Sequence, residues 1–72
     1  MTLKNVINVV PCGQFVVIKD YETEELYYKD DAQFLKQNQS LYFFDFEVKM
    51  IASQNDVEYD DALLIEIVNN TF

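Results

Sequence analysis

The stretch LYFFDFEVKMIA, residues 41–52, decides the fold class. Its even positions are apolar: Tyr42, Phe44, Phe46, Val48, Met50 and Ala52. Its odd positions Asp45, Glu47 and Lys49 are charged. Because side chains of a β-strand point alternately to opposite faces, the pattern predicts one strand with a buried face and a wet face. The aromatic and methionine stripe is therefore interpreted as core and not as a cofactor-binding box.

Four more strands are predicted around this segment. They cover residues 6–10, 14–20, 25–29 and 62–68, which are rich in β-branched and aromatic side chains. Pro11 and Gly13 separate the first two strands, which indicates a turn or bulge between them. The second and third strands form a predicted hairpin around a polar turn, with no Asn-Gly or Asp-Gly pair to fix its type.

One short helix is predicted in residues 30–39. Asp30 is the expected N-cap, Gln33 completes a weak capping box, and Phe34 and Leu35 are expected to face the core. The predicted order is β-β-β-α-β-β, a mainly β (α+β) chain. It indicates either a small five-stranded antiparallel barrel or a twisted sheet with the helix at one end.

Size limits the ways in which this chain is stabilised. Its 72 residues are predicted to form a single domain over residues 1–72. Small domains often need a disulfide, a metal or a partner subunit. The single cysteine, Cys12, and the absence of histidine exclude an internal disulfide and a Cys/His zinc site. A tight core or a homo-oligomer remains, and Leu64 and Val68, on the second face of the last strand, are candidates for a subunit interface.

Charge narrows the classes of partner. Thirteen acidic residues stand against five lysines and no arginine, giving a formal net charge of −8. Direct binding to nucleic acid is disfavoured because it needs clustered cations, and an anionic membrane is disfavoured for the same reason. An acidic surface suits a basic protein partner, although excess carboxylate also serves solubility alone.

The first residues bear on the cellular compartment. The segment MTLKNVINVVPCG has too short an apolar run for a signal peptide, and Asn5 and Asn8 break it. No run approaches the roughly 18 apolar residues that a membrane helix needs. With its one unpaired cysteine, the chain is predicted to be cytoplasmic.

The acidic stretch before the last strand has part of the spacing of a calcium-binding loop. Asp56, Glu58 and Asp60 occupy the first, third and fifth positions of such a loop. The sixth position should be glycine and is Asp61, and the twelfth should be glutamate and is Ile67. No metal site and no cofactor are therefore predicted.

Catalysis is not predicted either. No histidine is available as a base, and Cys12 lacks the histidine that usually activates a nucleophilic thiol. No glycine-rich phosphate loop is present, because the chain has a single glycine, Gly13. We therefore expect a protein that is not an enzyme.

The carboxylates are instead candidates for a protein-binding surface. The predicted docking residues lie on several elements: Asp20, Glu22, Glu24, Asp45, Glu47, Asp56, Glu58, Asp60 and Asp61. Exposed Tyr21, Tyr27 or Tyr59 would supply aromatic anchors. An ordinary solvated surface with half-buried tyrosines is the alternative for any one of these residues.

Three features of the chain are shared with a known group of proteins. They are the apolar strand leading into Pro11, a hairpin with the spacing Asp20-x-x-Thr23-x-Glu25-Leu26-Tyr27, and the terminal strand DDALLIEI. In these the chain resembles short acidic uncharacterised proteins of phages, prophages and mobile elements of Gram-positive bacteria. The resemblance implies a mobile-element origin and carries over no activity and no binding residue.

The leading hypothesis is a non-catalytic acidic interaction protein. It would bind a basic host protein, such as a nuclease or defence factor, and modulate or inhibit it. Two alternatives stay open, namely a homo-oligomer that binds and sequesters a small molecule, and a structural subunit of a phage complex.

Overall fold

The computed structural model describes residues 1–38, 40–54 and 62–69. The elements are the helix α1 (Leu3–Val9), the strands β1 (Phe15–Asp20) and β2 (Leu26–Asp31), the helix α2 (Ala32–Gln37), a 3₁₀ turn (Tyr42–Asp45), and the strands β3 (Glu47–Gln54) and β4 (Ala62–Val68). Within the described residues the strands form one sheet in the order β2-β1-β4-β3.

The sheet is open and mixed. The hairpins β1–β2 and β3–β4 are antiparallel, whereas β1 and β4 pair in parallel at its centre. The mainly β class is thus confirmed. The closed antiparallel barrel is wrong, since β2 and β3 are edges that do not pair with each other. The fifth strand is not found in the described residues.

A helix replaces the predicted first strand. In α1 the buried side chains are Leu3, Val6 and Ile7, which have helical spacing. Thr2 caps the helix: its hydroxyl accepts the N–H of Asn5, and the Asn5 side chain accepts the N–H of Thr2 at 3.1 Å. This capping box satisfies N–H groups that a helix leaves unpaired at its start. The strand prediction failed because β-branched residues also fill a short, well-capped helix.

Proline ends α1 as its chemistry requires. Val10 is extended (φ −77°, ψ 130°) because the ring of Pro11 disfavours a helical residue before it. The predicted turn follows, with Gly13 at φ 94°, where a side chain would strain the backbone. The N–H of Gly13 donates to the carboxylate of Asp31 at 3.0 Å, which ties this turn to the start of α2.

The predicted hairpin and the predicted helix are both present, with a shift in the cap. Asp31, and not Asp30, is the N-cap of α2, and its carboxylate accepts the N–H of Gln33 at 2.8 Å. Leu35 is fully buried as expected. Phe34 is 50% exposed, so its predicted core position is wrong. So short a helix packs on the core through one face, which contains Ala32 and Leu35.

The segment 41–52 is a strand only in its second half. Tyr42–Asp45 form a 3₁₀ turn that buries the consecutive residues Phe43 and Phe44. The strand β3 then contains a bulge at Lys49: Val48 pairs with Ile67, and Met50 already pairs with Glu66. The bulge moves Met50 to the opposite face from Val48. Uninterrupted alternation over this segment was therefore wrong.

The core lies on one side of the sheet. There the central strands contribute Val16, Ile18, Ile65 and Ile67, and these pack with α1, α2 and the buried phenylalanines in one cluster. The other side is termed the open face. By the strand register it comprises Phe15, Val17, Lys19, Leu26, Lys29, Asp31, Glu47, Met50, Ala52, Ala62, Leu64, Glu66 and Val68. Val17 and Ala62 are nevertheless buried. No helix in the described part of the chain belongs to that side. Leu64 is half-buried there and Val68 is buried.

Candidate functional site

The turn between β1 and β2 is organised by one of the predicted docking residues. Asp20 ends β1, and its Oδ1 accepts the backbone N–H groups of Glu22 at 2.8 Å and Thr23 at 3.0 Å. Its Oδ2 accepts the hydroxyl hydrogen of Tyr27 at 3.1 Å. These bonds, first that of the Thr23 N–H and then that of Glu22, lower the pKa of Asp20. The Asp20 carboxylate therefore stabilises the turn.

The turn displays carboxylates to solvent. Glu22, Glu24 and Glu25 are all exposed. Glu24 has φ 62°, a left-handed conformation that costs a residue with a side chain on the order of 1 kcal/mol. In the described residues no ion pair joins these glutamates to a lysine. Their charges are consequently available to a partner.

Aromatic rings connect this turn to the 3₁₀ turn. The ring centroid of Tyr27 lies 5.4 Å from that of Phe43, 5.9 Å from that of Phe46 and 6.2 Å from that of Tyr42. Burial, with the hydrogen bond to Asp20 second, raises the pKa of Tyr27 to about 12. Tyr27 is thus a neutral, half-buried bridge between the two turns.

Tyr42 covers the outside of this cluster. It is 70% exposed, although its ring meets those of Phe43 at 5.4 Å and Phe46 at 5.8 Å edge to face. Asp45, three residues on in the same turn, is exposed as well. An exposed tyrosine whose inner edge is already fixed loses little conformational freedom on binding, which is the property of an interface anchor.

The structure therefore brings part of the predicted docking set together. We name the acidic–aromatic surface by its exposed members Glu22, Glu24, Glu25, Tyr42 and Asp45. Asp20 and Tyr27 lie beneath it and join its two halves.

The remaining predicted residues fall elsewhere. Glu47 begins β3, is half-buried, and lies 3.4 Å from the ammonium of Lys49, so part of its charge is offset. Asp56, Glu58, Asp60, Asp61 and Tyr59 lie outside the described residues. The exposed Tyr21 donates its backbone N–H to the carbonyl of Ile67 at 2.8 Å.

Two members of this surface escaped sequence reasoning. Tyr42 was assigned to the core by alternation, and Glu25, although one of the carboxylates around the predicted turn, was not among the predicted docking residues. The available signal was that Tyr42, Phe43 and Phe44 are consecutive, so a strand would place aromatic rings on both of its faces. In an open sheet those two faces cannot both be core. If this triplet is interpreted as a turn, Tyr42 is predicted to be exposed.

The described residues contain no group of three or more metal-ligating side chains, and Cys12 is exposed. No helix among them is long and apolar enough to cross a membrane. Exposed carboxylates around a fixed tyrosine suit contact with lysine or arginine, whose cations interact with both groups.

Comparison with protein-family models, with curated proteins and with solved structures gives no match. The resemblance to proteins of phages and mobile elements stays a prediction. The functional argument accordingly rests on the chemistry of the acidic–aromatic surface.

Proposed function

We propose that this chain is a non-catalytic binding protein that docks on a basic protein through the acidic–aromatic surface. One observation carries the proposal: Tyr27 contacts both Asp20 and Tyr42, so the charged hairpin turn and the charged 3₁₀ turn form one surface. The net charge of −8 supports it, because such a field steers a basic partner toward the protein at long range.

The exposed carboxylates and the ring of Tyr42 have separate roles in the proposed binding. The exposed carboxylates accelerate encounter and exclude acidic partners, whereas a rim charge adds little affinity by itself. Tyr42 supplies the contact that is removed from water, and a guanidinium over its ring adds about 0.5–2 kcal/mol. The two contributions separate experimentally, since salt weakens the first far more than the second.

A sharper version names a basic host protein, such as a nuclease or a defence factor, that the chain inhibits in the cytoplasm. The resemblance to short acidic proteins of phages and mobile elements supports this version. A small-molecule binder between subunits remains the alternative.

Capture from a host lysate tests the proposal. The immobilised protein is exposed to lysate at about 0.1 M and about 1 M salt, where the Debye length falls from about 10 Å to about 3 Å. Tyr42→Ala and Asp45→Asn are the test variants. Phe34→Ala and Asp30→Asn are matched controls, because they remove an exposed aromatic ring and an exposed carboxylate from other parts of the surface.

The proposal expects one basic protein that is captured at low salt and released at high salt. Tyr42→Ala should lose it, Asp45→Asn should weaken its capture, and both controls should retain it. Equal capture by test and control variants would show that another surface binds. An empty capture at low salt would contradict docking and favour ligand binding or self-association.

A further inference from the structure

The ring of Tyr42 stands nearly perpendicular to its three aromatic neighbours. The angle between the ring planes is 73° with Tyr27, 86° with Phe43 and 75° with Phe46. Edge-to-face contacts of this kind fix the orientation of a ring without stacking another ring on it. Because Tyr42 is also 70% exposed, at least one face of its ring is open to solvent.

Asp45 lies on the same side of the 3₁₀ turn as Tyr42. A 3₁₀ helix has three residues per turn, so side chains three positions apart eclipse each other. The burial pattern agrees, since Phe43 and Phe44 between them are buried whereas Tyr42 and Asp45 are exposed. The open ring and the carboxylate therefore belong to one place on the surface.

Within residues 1–38, 40–54 and 62–69, no cation of the protein occupies this place. The carboxylate of Asp45 makes no ion pair and no hydrogen bond there. Lys49, the lysine nearest to Asp45 along the chain, lies 3.4 Å from Glu47. The carboxylate of Asp45 thus keeps its full negative charge beside the open ring.

We propose that Tyr42 and Asp45 together bind one arginine side chain of the basic partner and discriminate against lysine. A guanidinium is planar, so its face stacks on an aromatic ring while its edge donates two parallel N–H bonds to a carboxylate. An ammonium is a compact, strongly hydrated charge with no flat face to stack. The inference rests on the proposed function and names the side chain that the acidic–aromatic surface selects.

The glutamates of the hairpin turn have a different part in this recognition. Glu22, Glu24 and Glu25 attract lysine and arginine alike, because exposed charges act at a distance through their field. Shape enters only where the ring of Tyr42 and the carboxylate of Asp45 meet one side chain. Selectivity for arginine consequently depends on this pair, whereas the rate of encounter depends on the whole surface.

A pair of peptides tests the inference. One is a glycine peptide with arginine at alternate positions and blocked ends, and the other has lysine in place of every arginine. NMR titration of the full chain at about 0.1 M salt gives both dissociation constants. The wild type should bind the arginine peptide roughly threefold or more tightly than the lysine peptide, with the largest shift changes in the 3₁₀ turn.

Variants of the pair locate the preference. Tyr42→Leu and Asp45→Asn should each abolish the preference for arginine, whereas Tyr42→Phe should retain it because the ring face remains. Phe34→Leu and Asp30→Asn are matched controls that remove an exposed ring and an exposed carboxylate elsewhere, and both should retain the preference. Circular dichroism of each variant verifies the fold.

Three results would overturn the inference. They are equal affinity of the wild type for the two peptides, no binding of the arginine peptide up to the millimolar range, and a preference that Tyr42→Leu leaves intact. Each of them leaves the proposed function standing if lysate capture still yields a basic protein. Failure of that capture would contradict the proposed function itself.

Discussion

Replacing Ile7 by alanine should destabilise the protein far more than replacing Val9 by alanine. The two residues lie two positions apart in α1, where Ile7 is fully buried and Val9 is 80% exposed. In a strand, residues two apart share one face, so both replacements would cost alike. The pair therefore separates the helix from the strand that hydrophobicity alone suggests.

The magnitudes follow from burial. Ile7→Ala removes three buried carbon atoms from the core cluster and should cost roughly 3 kcal/mol. A domain of this length has a total stability of roughly 4–11 kcal/mol, so this loss is a large share. Val9→Ala removes little buried surface and gains helix propensity, so the expected change is within about 0.5 kcal/mol of zero.

Urea unfolding followed by circular dichroism measures both values. All variants are compared at one protein concentration, because a dimer would make the midpoint depend on it. Ile7→Val, with an expected cost of about 1 kcal/mol, keeps the series measurable if Ile7→Ala is unfolded. Equal costs for Ile7→Ala and Val9→Ala would refute the helix and with it the packing of α1 on the sheet.

Three further predictions concern titration and the hairpin turn. Burial raises the pKa of Tyr27 and of Tyr28 from 10.0 to about 12. The free energy of unfolding should therefore fall as pH rises through that window, and two of the five tyrosines should ionise late in an absorbance titration. Because the pKa of Asp20 is lowered from 3.8, the stability that its hydrogen bonds give is complete above that pH and should be lost as pH falls below it; Asp20→Asn should flatten this part of the urea-midpoint profile. Glu24→Gly should leave stability unchanged or raise it by up to about 1 kcal/mol in urea unfolding, because glycine adopts φ 62° without strain.

Each of these has a contrary outcome. Ionisation of every tyrosine together near pH 10 would show that the rings of Tyr27 and Tyr28 are not buried. If Asp20→Asn leaves the loss of stability at acid pH unchanged, that loss is due to other carboxylates. A clear loss of stability in Glu24→Gly would place that residue outside the left-handed region.

Sequence patterns predicted the parts of the fold that depend on local chemistry. The hairpin of β1 and β2, the helix after Asp31 and the last strand follow from β-branched runs and from carboxylates that cap or turn the chain. These signals are local, so they do not depend on how the rest of the chain packs. The Pro11–Gly13 turn is predictable for the same reason.

Long-range pairing was not predictable from the same patterns. The parallel pairing of β1 with β4 joins segments more than 40 residues apart, and neither segment encodes the direction of its neighbour. Once β4 lies beside β1, the apolar N-terminal segment covers the sheet as a helix and does not extend it. The bulge at Lys49 is likewise set by the partner strand and not by composition.

The candidate site was half predictable for a related reason. Glu22 and Glu24 were identified because a polar turn between strands must face water. Tyr42 was missed because its exposure depends on the burial of Phe43 and Phe44 in one 3₁₀ turn. Asp20 was identified as a docking residue, but its structural role was not, since its hydrogen bonds to the turn and to Tyr27 are visible only in the folded chain.

The salt dependence of lysate capture by the wild type and by Tyr42→Ala, with Phe34→Ala in parallel, tests the central claim most directly. The account predicts one basic protein that is held at about 0.1 M salt, is released at about 1 M salt, and is lost by Tyr42→Ala alone. A captured protein that resists salt and binds all three chains equally would contradict it.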